Sequence, residues 1–186
     1  MKKVLLVRFS LCLLLVLWIP AQSVAEDMPA SPDLFMDIWY HVPAGFTEVC
    51  PADGEAAVRR YDGPTGSDLH ITFSATPIAR RLTNGHKTSL ALMQQIIGNT
   101  VAENGLVLLR EPLTFEVDRR IATRFRYALG TDGGSVPEDS MILLHDGHLY
   151  IITCRGAAGQ EEALEVLADQ LFATVTPARG ISLEED

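Results

Sequence analysis

His145 and His148 flank the dipeptide Asp146-Gly147, a spacing that could do metal chemistry. Asp-Gly between two strand-like runs favours a two-residue type I′ turn. Such a turn sets the two histidines opposite each other on one face, with Cβ atoms roughly 5 Å apart. Both imidazoles could then reach one Zn²⁺ or Cu²⁺ ion, and Asp146 could add an oxygen. A closed site takes four ligands, so His41, His70 or His86 would have to be folded into range. The plainer reading is a polar hairpin tip.

A second pattern is the arginine row. In the segment Arg120 to Tyr127, period-two alternation puts Ile121, Thr123, Phe125 and Tyr127 on one face. Arg120, Ala122, Arg124 and Arg126 share the other. Each guanidinium presents a planar fork to carboxylate or phosphate, so the row could receive an anionic ligand or an acidic partner. The competing expectation is a strand face paired with the protein's own acids.

No G-x-S-x-G elbow, H-E-x-x-H helix, phosphate loop or dinucleotide fingerprint occurs, so no catalytic residue and no cofactor is assigned. Ser67, Asp68 and His70 are triad residue types, but proximity in sequence is not triad geometry. Asp132-Gly133-Gly134 with Glu138 and Asp139 offers oxygens for Ca²⁺ without the EF-hand spacing. Trp39, Tyr40 and Tyr150 read as core or sheet-face aromatics.

The elements that must position these residues are legible. Strands are expected over Phe35–Val42, Phe46–Cys50, Glu55–Tyr61 and Leu69–Ala75. A helix then carries Leu92, Met93, Ile96, Ile97 and Val101 at helical spacing, capped by Thr88 or Ser89 and stopped at Gly105. Strand-like stretches follow at Leu106–Arg110, Leu113–Val117 and Arg120–Leu129. The turn-rich segment Gly130–Ser140 reads as a long loop. Met141–His145 and His148–Cys154 form the hairpin, and a last helix over Gln160–Val175 has the apolar stripe Leu164, Leu167, Ala168, Leu171, Phe172 and Val175. Glu161, Glu162, Glu165 and Asp169 fall on its wet side. The fold class is α+β: a single, mostly antiparallel twisted sheet with two main helices packed on it.

The final block, DGHLYIITC–RGAAGQEEALEVLADQLFATVTP, resembles the end of PsbP-like and DcrB-like domains, where a strand with a Tyr leads into a closing helix. The opening HVPAGFTEV is similar to the first hairpin of that group. The resemblance spans about residues 38–177. It implies an α/β/α sandwich and a non-catalytic accessory or binding role outside the cytoplasm. It supplies no catalytic residues.

Export is also expected from the first 25 residues. Lys2, Lys3 and Arg8 precede the apolar run Phe9–Ile19, Pro20 ends the run, and Ser23-Val24-Ala25 suits cleavage before Glu26. Residues 1–25 thus read as a signal peptide, 26–34 as a flexible leader, 35–177 as one α+β domain and 178–186 as an acidic tail. Removing the three signal cations takes the formal net charge from −9 to −12. Such acidity argues against nucleic acid or an anionic membrane as partner, and no membrane span is expected after cleavage. Cys12 leaves with the signal and lacks the small residue a lipid-attachment site needs before it. Cys50 and Cys154 remain, and in an oxidising compartment they most simply form one disulfide.

The leading expectation is therefore a soluble, periplasmic or secreted binding protein with a protein partner in the envelope. The alternatives are an inhibitor or immunity-type protein against a toxin or hydrolase, and a metal-binding protein or hydrolase using His145 and His148.

Overall fold

The structure, a computed structural model, describes residues 32–49, 57–83, 85–131 and 134–178. The expected signal peptide, most of the leader, Cys50, Asp132-Gly133 and the acidic tail lie outside the described residues.

Short strands open the fold. β1 (Asp33–Phe35) and β2 (Ile38–Tyr40) form a hairpin around Met36-Asp37. The single strand expected over 35–42 is thus two strands, because the chain reverses at Met36, which has a φ of 53°. β3 (Thr47–Val49), β4 (Val58–Asp62) and β5 (His70–Pro77) follow as a meander. Helix α1 spans His86–Asn104, starting earlier than expected. Gly85 occupies its N-cap without a side-chain bond, while Gly105 closes it in the left-handed conformation (φ 61°).

Five strands come next: β6 (Val107–Leu108), β7 (Leu113–Val117), β8 (Arg120–Thr131), β9 (Gly134–His145) and β10 (His148–Arg155). Helix α2 (Glu161–Phe172) and β11 (Thr176–Pro177) complete the order. The main sheet runs β3-β4-β5-β10-β9-β8-β6, with β7 also paired to β8. Every pairing is antiparallel, and a second sheet joins β1, β2 and β11.

The expected loop over 130–140 is a correction. Gly134–Ser140 is strand, in register with Phe125–Thr131. Its turn-forming composition is overridden by tertiary pairing. Pro137 has no N–H, but its carbonyl accepts a hydrogen bond from the Gly156 amide (3.2 Å).

The main sheet is covered on both faces. On one, α2 buries Leu164, Leu167, Ala168, Leu171 and Phe172 against Phe73, Met141, Leu143, Tyr150 and Ile152, with β1 and β2 beside it. On the other, Met93 and Ile97 of α1 pack with Ile121, Phe125, Tyr127, Ile142 and Leu144. Burying one large aliphatic side chain contributes about 1.5–3 kcal/mol, so both helices are held by packing. Among the described residues no helix is long and apolar enough to cross a membrane.

Candidate functional site

Helix α1 lies chiefly over β8, and Leu149 and Ile151 of β10 pack against its cluster, which leaves that face open at β4, β5 and the Thr153–Arg155 end of β10. Register fixes what stands there. One row runs Asp62, His70, Arg155, Glu138, Tyr127 across five neighbouring strands. The next runs Arg60, Thr72, Thr153, Ser140, Phe125. Both rows change from exposed and charged at β4 to buried at β8, where α1 takes over.

Nearest neighbours in these rows are joined. His70 Nδ1 and Asp62 Oδ1 are 2.8 Å apart. Glu138 is buried, with one carboxylate oxygen ion-paired to Arg155 and the other accepting from the Tyr127 hydroxyl. Burial first, and then that hydrogen bond to a carboxylate, push the Tyr127 phenol well above its ordinary range. Ser140 and Thr153 share a hydroxyl–hydroxyl bond of 2.9 Å. The result is an open polar cleft of about 500 Å³, lined by Arg60, Asp62, His70, Thr72, Thr153 and Arg155. Donors, acceptors and both signs of charge converge on it, which suits a polar ligand or a polar protein loop.

A second groove, of about 470 Å³, lies between the Pro43–Phe46 turn, the Pro64–Leu69 loop and α2. It is lined mainly by apolar side chains such as Phe46, Leu69 and Val166, with few polar groups to orient a ligand.

The arginine row is occupied by the protein itself. Arg124 and Arg126 do share one face, the face that α2 covers. Arg124 makes two bonds to Asp139 (Nε 2.8 Å, NH2 2.7 Å) and one to Asp169 (2.6 Å), with its guanidinium over the Phe172 ring. Arg126 bonds Asp139 through two nitrogens (2.9 and 2.6 Å) and Glu165 at 3.1 Å. Glu165 also takes a two-bond clamp from Arg110 (2.7 and 3.1 Å). Glu165 and Asp169 are therefore turned to the sheet, and their expected place on a purely wet face is corrected. Arg120 stands apart from this network, in a small pocket with Thr83, His86 and Ser89.

His145 and His148 are direct cross-strand partners, and the turn between them has positive φ at both residues (41° and 77°), as a type I′ turn requires. His145 is only 7% exposed. Its Nε2 lies 3.1 Å from the Ala178 carbonyl. Asp146 is drawn instead to Arg80. Among the described residues no group of three or more His, Cys, Asp or Glu is assembled for a metal ion, so the other histidines do not complete the pair.

The remaining candidates are separated by the fold. His70 pairs with Asp62 rather than Asp68, and the Ser67 hydroxyl donates to the Pro64 carbonyl (2.9 Å). No triad forms from these three residues. Glu138 and Asp139 are adjacent strand residues facing opposite sides of the sheet, so they cannot share one cation. Cys154 is fully buried beside Ile152 in the α2-side core, while its expected partner Cys50 lies outside the described residues.

Comparison with solved structures decides the fold. Cyanobacterial PsbP (CyanoP) from Synechocystis sp. PCC 6803 superposes with a TM-score of 0.56 at 13% identity, over 76% of this chain and 86% of that one. The fold is PsbP-like. LpqN of Mycobacterium tuberculosis, a protein involved in cell envelope biogenesis, matches with a TM-score of 0.53 at 11% identity, over 83% and 88% of the two chains. A Bacteroides thetaiotaomicron structure matches at 0.52 and 10% identity, over 77% of this chain and 46% of its own. No protein-family model and no curated sequence matches the chain.

On this PsbP-like frame the polar cleft belongs to the half of the sheet that α1 leaves bare. Sequence reading missed it because its residues come from β4, β5, β9 and β10. The available signal was the polar set of β5, His70, Thr72, Ser74 and Thr76, alternating with Ile71, Phe73 and Ala75. Alternation of that kind marks a strand whose second face is not buried.

Proposed function

We propose that this chain is an exported, non-catalytic accessory protein of the cell envelope, binding a protein partner or a small polar ligand on the open face of β4, β5 and β10. The observation that carries this reading is the pair of polar rows beside α1, exposed where Arg60, Asp62, His70 and Arg155 meet. The PsbP-like fold, and the description of LpqN as a protein of cell envelope biogenesis, favour the setting. The secretory pattern of residues 1–25 favours export.

Affinity capture from the native envelope fraction tests the reading. Arg60→Glu combined with His70→Glu alters two exposed cleft residues without touching the core. The wild type should recover a partner that the double variant loses, and equal recovery by both would reject the cleft. Export is tested separately by intact mass: the exported protein should begin at Glu26.

A further inference from the structure

The corner beside the Asp146-Gly147 turn holds two buried imidazole nitrogens without a protein partner, His145 Nδ1 and His148 Nδ1, while the Tyr150 hydroxyl lies against the Asp37 backbone. Buried polar groups are nearly always hydrogen-bonded, so two orphans on facing residues call for a bound species. His145 and His148 are cross-strand partners, and the His148 and Tyr150 rings lie 5.9 Å apart. Alternation along β10 sends His148 and Tyr150 to the same face. His41 Nδ1 is also unpartnered, but His41 belongs to the far end of β2, where its amide bonds Thr174.

The orientation of His145 is fixed from outside the corner. A backbone carbonyl can only accept, so His145 Nε2 carries the hydrogen and donates it to Ala178 O. In the neutral ring Nδ1 is then the atom with the free lone pair. A ligating imidazole characteristically gives its other N–H to a carbonyl or carboxylate, which sets both tautomer and ring angle. Ala178 is itself tied down, since its amide donates to the Asp37 carbonyl at 2.7 Å. Two carboxylates stand near. Burial, then the charges of Asp37 and Asp146, push the Tyr150 phenol up to about 12, partly offset by a hydrogen bond with the Asp37 backbone. Arg80 offsets part of the Asp146 charge through its ion pair.

We propose that His145 and His148 form a two-imidazole site for a late first-row divalent cation. Imidazole donors suit Cu²⁺ and Zn²⁺, and Cu²⁺ binds tighter to a given set of such ligands. Both imidazoles bind as neutral rings, so no proton leaves His145. Water completes the coordination.

The test is calorimetric titration of the purified protein with Cu²⁺ and with Zn²⁺, paired with electron paramagnetic resonance of the copper form. One equivalent should bind, with coupling from two imidazole nitrogens. His148→Gln, at the less buried member of the pair, should weaken binding by about tenfold or more and leave one nitrogen coupling. His86→Gln, outside the corner, should bind as the wild type does. Thermal melting checks that each variant is folded. No binding by the wild type at micromolar metal would leave a buried water as the occupant and overturn the site. Unchanged affinity and spectrum in His148→Gln would overturn it equally.

Discussion

Arg126 and Asp139 face each other in direct register across β8 and β9 and are joined by two hydrogen bonds to a single carboxylate oxygen, with exposures of 7% and 0%. Removing one member of a buried pair strands the other charge, which costs more than deleting the pair together. Asp139→Ala should therefore lower unfolding free energy by about 3–5 kcal/mol. The triple variant Arg124→Met, Arg126→Met and Asp139→Leu, which removes both arginines that Asp139 neutralises, should lose distinctly less. Urea denaturation of the two proteins checks the order.

Acid should loosen α2 from the sheet. The hydrogen bonds from Arg110 and then Arg126 hold the Glu165 carboxyl at about 2, below its ordinary 4.5. A depressed carboxylate contributes stability above its unfolded value and loses it as pH falls through the folded value. The loss should thus run from about pH 4.5 down to 2. Melting curves across that range should show a shallower pH dependence in Glu165→Gln than in the wild type.

Alkali should act through the tyrosines. All four of them, Tyr40, Tyr61, Tyr127 and Tyr150, are raised above the ordinary value near 10, burial being the largest cause in each. Raised phenols contribute stability that is complete below pH 10 and lost as pH climbs beyond it. Absorbance at the phenolate band should stay flat through pH 10 and then rise steeply as the protein unfolds. A smooth rise centred on pH 10 would contradict this burial.

Cys154 should be inert in the native protein. It is fully buried, and desolvation pushes its thiol far up, away from the reactive thiolate. Iodoacetamide should leave it unlabelled in the folded chain. Unfolding without reductant then tests the proposed Cys50–Cys154 bond: a bonded pair takes no label, and two free thiols take two.

Much of the frame could be read from local pattern. The Asp146-Gly147 hairpin, the bounds of β7 and the apolar stripe of α2 are each set by residues within a few positions of one another. So is the alternation of β8. The identity of what covers each face is not local. Whether Arg124 and Arg126 meet solvent or Asp139, Glu165 and Asp169 depends on the register of β9 and on α2, some forty residues later in the chain. The strand at Gly134–Ser140 was hidden for the same reason. Glu138 and Asp139 look like loop residues until Arg155, Arg124 and Arg126 are seen to neutralise them. The polar cleft is the extreme case, since its rows exist only after five strands have found their register.

The small sheet of β1, β2 and β11 has a consequence for the order of assembly. Ile38 and Trp39 pair with Pro177 and Thr176, so strands from opposite ends of the described chain share one ladder. A polypeptide still emerging from the ribosome lacks β11, and β2 keeps an unpaired edge until residue 177 is available. Closing that ladder is therefore a late event that waits for the whole described chain.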